Sequence, residues 1–183
     1  MTLTYAENKQ SVYHFAFTIP GTLFRKAKEW FKSKVPLNKD GNDDEVYFAF
    51  MDAHSFYFYD PDGNVVECIA RNRCPGTSDT FSIKDVVDIS EINLTVKNVL
   101  EEGKKLMKQG FQPIDHKPLT AHGLNFIGDF HSYFLLGPEN RTWFFSDKRA
   151  VIGPVTVELA RGMTVGVNGR GNIFFRQEEA REE

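Results

Sequence analysis

The sequence predicts an α+β fold built from two tandem β-α-β-β-β modules and a C-terminal β extension. Three observations carry that prediction. Apolar and polar residues alternate in two separated stretches, 12–19 and 91–96; a helical stretch follows each; and an offset of 77 carries features of the first half onto the second. By that offset His14 falls on Glu91, His54 on His131, Ser55 on Ser132, Pro61 on Pro138 and Glu67 on Phe144. The chain divides accordingly into a first module at 11–70, a linker at 71–86, a second module at 87–148, a β extension at 149–176 and an acidic tail at 177–183.

The elements follow in order. Residues 1–10 are polar and read as a frayed or edge segment. In residues 12–19 Tyr13, Phe15, Phe17 and Ile19 form one apolar face, while Val12, His14, Ala16 and Thr18 form a mixed one, as in a strand with a core on one side. Pro20-Gly21-Thr22 opens a helix on Leu23, Phe24, Ala27, Trp30 and Phe31. A loop at 34–44 leads to a strand at 45–53. Residues 54–69 then form a hairpin, because Pro61 presets the φ of a turn, Asp60 can bond its own backbone, and Gly63 and Asn64 tolerate positive φ. Its second strand puts Glu67 between Val65 and Ile69 on one face, with Cys68 on the other. A carboxylate so placed needs water, a partner or a metal.

After a linker containing Pro75-Gly76, residues 91–96 alternate again with Glu91, Asn93 and Thr95 on the polar side. Asn98 caps a helix at 99–109 and Gly110 stops it. Strands are expected at 124–129, 131–137 and 141–146. In the extension 154–160 and 163–167 read as strands, with the glycines at 162, 166, 169 and 171 as turns. Gly169-Arg170-Gly171 lacks the following Lys-Ser/Thr of a phosphate loop.

Composition narrows the function classes. A chain of 183 residues with net charge −3 has no basic field for nucleic acid or an acidic membrane. No apolar run is long enough to span a bilayer, and the first residues lack the pattern of a signal peptide, so the expected address is cytoplasmic. Two cysteines make no disulfide framework. Seventeen phenylalanines must fill a core or line an apolar pocket. The expected partner is a small-molecule substrate or ligand, bound by a monomer or homodimer.

The stretch 54–67 resembles the vicinal oxygen chelate superfamily, which includes glyoxalase I, extradiol dioxygenases, fosfomycin resistance proteins and methylmalonyl-CoA epimerase. The resemblance rests on the aromatic pair Phe56-Tyr57, the turn Asp60-Pro61-Asp62-Gly63-Asn64 and the strand ending in Glu67. It implies that the two modules pair into a half-open barrel, with metal ligands on the first and fourth strand of each. Those positions are His14, Glu67, Glu91 and Phe144. Phe144 cannot bind a metal, so the implied set is His14, Glu67 and Glu91, holding a divalent ion (Fe, Mn, Zn or Co) with open positions for a chelating substrate. Tyr57, ten residues before Glu67, matches a tyrosine near the substrate in extradiol enzymes, and His54 is a second candidate catalytic residue. Phe48 stands where ring cleavage wants an acid–base histidine, and the fourth glyoxalase carboxylate would fall on Phe144.

Glyoxalase-like, isomerase and dioxygenase-like chemistry thus remain open. So does a metal-free binding protein, comparable to bleomycin resistance proteins, whose phenylalanines hold an aromatic ligand; a ligand-free structural domain is a third reading. In either metal-free case His14 and Glu67 pair across neighbouring strands, and Glu91 bonds Ser90 or solvent.

Overall fold

The computed structural model describes residues 1–2 and 11–177. The expectations for residues 3–10 and 178–183 lie outside the described residues. The first module contains β1 (His14–Pro20), a 3₁₀ turn (Gly21–Leu23), α1 (Phe24–Lys32), β2 (Val46–Phe48), β3 (Ala53–Tyr59) and β4 (Val65–Arg71). The second contains β5 (Asp88–Val96), α2 (Val99–Lys108), β6 (Asn125–Gly128) and β7 (Tyr133–Pro138). Seven strands form one curled half-barrel sheet in the order β2-β3-β4-β1-β5-β7-β6. The α+β class and its half-open barrel are therefore present. Among the described residues no helix is long and apolar enough to cross a membrane.

Local chemistry explains the first hairpin. The Asp60 carboxylate accepts from the backbone N–H of Asp62 and Asn64, and Gly63 takes φ +81°, so the turn closes where the motif placed it. The strand expected at 45–53 is shorter, because the chain turns between Phe48 and Asp52: Met51 N donates to Phe48 O, and Asp52 has φ +49°. Asn98 caps α2 by accepting from Glu101 N, and Gly110 follows the helix at φ +92°.

The strands after α1–β4 pair in a different register from the one the offset implies. β1 runs parallel to β4, and β5 runs parallel to β7, so β7 is the counterpart of β4 and β6 that of β3. The counterpart of β2 is reduced to an isolated bridge between Pro113 and Ile127. Residues 141–146, expected as a fourth strand, instead form a loop closed by Trp143 N to Lys148 O and Ala150 N to Arg141 O. In register terms Glu67, opposite Ala16, corresponds to Leu135, opposite Asn93, and not to Phe144. The second module still offers no fourth ligand, since leucine binds metal no better than phenylalanine.

Strand alternation sorts the interior into three clusters. Ala16, Ala53, Tyr57, Val65, Ile69, Tyr133 and Leu135 point into the concave face. Phe56, Cys68 and Ala70 point the other way, onto Phe24, Ala27 and Phe31 of α1. Leu94, Val96, Phe134 and Leu136 likewise meet Val99 and Leu106 of α2. The C-terminal extension joins this last layer as a three-stranded sheet of β8 (Val155–Glu158), β9 (Met163–Val167) and β10 (Ile173–Gln177). Gly166 lies inside β9 and not at a turn, and glycine is needed there because a Cβ would meet the Phe174 ring and Val155 O. β10 has no counterpart among the expected strands and takes in Gln177, assigned above to the tail.

Candidate metal centre

His14, Glu67 and Glu91 come from three adjacent strands, β1, β4 and β5. All three side chains point into the concave face, where their exposures are 5%, 3% and 4%. One ligand atom from each lies within 4.8 Å of the other two. Alternation brings His14 and Glu67 to that face. In β5 an extra residue, Ser90, interrupts the pairing with β1 so that Glu91 stands opposite Ala16 and Ile89 opposite Phe17. Such bulges re-aim side chains beside sites.

The imidazole is oriented by its own strand neighbour. His14 Nδ1 donates to Val65 O at 3.0 Å, which leaves Nε2 facing Glu67 Oε2 at 3.5 Å and Glu91 Oε2 at 3.8 Å. A backbone carbonyl on one ring nitrogen and acids on the other is the arrangement that fixes a ligating histidine. Asn93 Oδ1 accepts from His14 N at 2.9 Å and holds β1 to β5 at this level. Burial alone opposes the imidazolium, but hydrogen bonds and charge from Glu67 and Glu91 outweigh it and push His14 up to about 9.

Glu91 is raised by burial and by the charge of Glu67, against the pull of His14 and Tyr133. Tyr133 Oη donates to Glu91 Oε1, and the Arg71 guanidinium stands 4.0 Å from the same oxygen. Glu91 Oε2 is thereby left on the His14 side. Glu67 differs, for its Oε1 is buried and has no hydrogen-bond partner. A buried carboxylate oxygen without a donor is costly. The donor set and that orphaned oxygen together fit a divalent ion.

His14, Glu67 and Glu91 line a cavity of about 200 Å³, somewhat larger than the roughly 150 Å³ that admits a benzene ring. Its walls are Phe48, Phe50, Tyr57, Phe126, Trp143 and Phe144. Tyr57 is directly opposite Glu67 on β3, and burial first, then nearby carboxylates, raise its phenol well above the usual range. Tyr57 is thus brought to the site. His54 is not: it sits on the other face of β3, its ring 5.0 Å from Phe24 and 4.7 Å from Tyr47. The sheet separates it from the cavity.

Arg71, Tyr133, Arg141 and Trp143 were not among the residues the sequence singled out. Arg71 had a signal, since it is four residues beyond Glu67 on the same face of β4. Tyr133 became visible only with the parallel pairing of Glu91 to Tyr133. The other two arrive on a loop that mimicked a strand.

The family model described as toxoflavin-degrading enzyme matches residues 89–141. That segment runs from β5 through β7 to Arg141 and contains Glu91 and Tyr133, while His14 and Glu67 precede it. No curated protein sequence matches the chain. The second module is therefore similar to part of an enzyme family that degrades a small molecule.

Proposed function

We propose that this chain is a divalent-metal-dependent enzyme of the vicinal oxygen chelate type that transforms a small, planar, oxygenated molecule. The observation that carries the reading is the convergence of His14, Glu67 and Glu91 at the floor of an aromatic cavity, with Glu67 Oε1 left unpaired. The similarity of residues 89–141 to the toxoflavin-degrading family supports an activity on a small molecule.

His14 Nε2, Glu67 and Glu91 would hold the ion. A metal bound there supplies Lewis acidity toward substrate oxygens, or redox chemistry if it is iron. The phenylalanine walls take the flat face of the substrate and exclude water. Tyr133 keeps one Glu91 oxygen occupied, so that the other is presented with His14. Tyr57, whose phenol holds its proton, acts as a hydrogen-bond donor toward a bound oxygen and not as a base.

The competing reading is a metal-free binding protein in which a protonated His14 is shared by the two acids, as the 3.5 and 3.8 Å separations allow. Titrating EDTA-treated protein with Mn(II) by calorimetry separates the two. The enzyme reading expects one ion per chain. It also expects Glu67→Gln and Glu91→Gln to weaken binding by more than the roughly 10–100-fold that loss of an outer partner costs, with the metal-free fold retained. Absence of binding by the parent, together with a large drop in melting temperature for Glu67→Gln alone, overturns it in favour of a structural ion pair.

A further inference from the structure

The wall of the cavity carries a cation that the proposed metal centre does not use. Arg141 is half-buried at the cavity lining, and burial pulls its guanidinium below the usual range. Its Nη1 donates to the carbonyl of its neighbour Thr142 at 2.7 Å. Among the described residues no carboxylate lies at ion-pair distance from it, although Glu67 and Glu91 line the same cavity. The guanidinium stands 5.0 Å from the Trp143 ring centroid, and that ring in turn stacks on His14 at 4.9 Å. Trp143 is 4% exposed, yet its Nε1–H is buried with no acceptor. One unpaired cation and one orphaned donor thus stand side by side on an otherwise apolar wall.

The backbone that delivers them is strained. Asn140 and Phe145 flank the segment at φ +66° and +49°, conformations that L residues rarely adopt and that concentrate at ligand sites. The loop is held by Asn140 N to Ala150 O, by Ala150 N to Arg141 O, and by Phe145 stacked on Tyr57 at 5.2 Å. Arg141 and Trp143 are therefore fixed before any ligand arrives.

We infer that Arg141 and Trp143 form a donor subsite that selects a planar aromatic ligand bearing an anionic oxygen, a carboxylate or ring-conjugated oxyanion. This rests on the cavity being the ligand site, as proposed above. Among the described residues the one guanidinium on the wall is the charged donor left without an acid, so the anionic oxygen goes to Arg141 and the ring lies against Phe48, Phe126 and Phe144. The metal-free reading of the fold leaves this subsite intact.

The test uses 2-naphthoate and its neutral analogue 2-naphthylmethanol as probes, titrated calorimetrically into the wild type, Arg141→Gln and Trp143→Phe. Each protein is measured after EDTA treatment and again with Mn(II). The expected result is that EDTA-treated wild type prefers the carboxylate, that Arg141→Gln removes at least about tenfold of its affinity, and that Trp143→Phe weakens it with less effect on the alcohol. Affinity of Arg141→Gln for the alcohol and its melting temperature should stay near those of the parent. Equal affinity of the wild type for both probes, or no binding of either, overturns the inference. So does an equal loss of both probes in an Arg141→Gln protein of lowered melting temperature, which assigns Arg141 to holding the loop. If Mn(II) fails to bind while the carboxylate preference holds, the metal-dependent function falls and the subsite stands; if Mn(II) binds and the preference is missing, the subsite alone falls.

Discussion

His14 decides how the site responds to pH, because the two acids it faces and the proposed ion want it in opposite protonation states. Without metal its imidazolium is shared by Glu67 and Glu91, and its value of about 9 lies above the 6.5 of an unfolded histidine. The folded state then binds the proton more tightly, so the stability from His14 is complete below about pH 6.5 and is lost as pH rises through about 9. A displacement of that size is worth on the order of 3 kcal/mol. EDTA-treated protein should melt several degrees lower at pH 9.5 than at 6.5, and His14→Gln should flatten that window. Metal binding has the opposite sign, since Nε2 must give up its proton to bind an ion. Mn(II) affinity should climb by up to tenfold per pH unit toward pH 9. A parent melting profile as flat as that of His14→Gln would show that the acids do not hold the proton.

Among the elements, the 139–150 loop shows where local sequence stopped carrying the fold. β1 and β5 were legible because each alternates, and β3 and β4 because they flank a turn whose Asp60 bonds its own backbone. With them came the face on which His14, Glu67 and Glu91 stand, while their reading as one set came from the family resemblance. Beyond α2 the Pro138-Glu139-Asn140 stretch looked like a second copy of that turn, and the register slipped by a whole strand. The turn that closes β6 and β7 is made instead by Asp129, whose carboxylate accepts from the N–H of His131 and Ser132. Trp143, Phe144 and Phe145 are three consecutive aromatics, a pattern without alternation, and only tertiary contacts settle their course. Phe145 is the residue that anchors the loop through Tyr57. Phe145→Ala removes that stack while the positive φ remains, so it should destabilise the protein by about 3–5 kcal/mol. Because the proposed metal ligands stand on β1, β4 and β5, its folded fraction should bind Mn(II) as the parent does while binding 2-naphthoate more weakly. Unchanged naphthoate affinity in that variant would separate the loop from the ligand wall.

Across the whole molecule, the curled sheet keeps structural and chemical tasks on opposite faces. The concave face holds the acids and the cavity, while the convex face of the second module is covered by α2 and the three-stranded sheet. Glu102 of α2 joins these layers, for it is 2% exposed and accepts both Lys105 Nζ at 2.7 Å and the backbone N–H of Ile173 at 2.8 Å. Ile173 itself packs with Leu94, Val96 and Leu106 against the back of β5. Ile173→Ala leaves a cavity in that layer and should cost about 2–5 kcal/mol of stability. Glu102→Gln keeps the volume but gives up a charged acceptor and should cost about 1–3 kcal/mol. Both lie on the convex side, so neither touches His14, Glu67 or Glu91. If the sheet only carries the site, calorimetry below the lowered melting temperature should find Mn(II) bound with parental affinity and one ion per chain in both variants. If it also braces β5, a folded Ile173→Ala protein should lose metal affinity together with stability, because Leu94 and Val96 are on the same strand as Glu91. Measuring the two quantities on one sample decides between them, and parental affinity in a protein that melts lower is the outcome expected here.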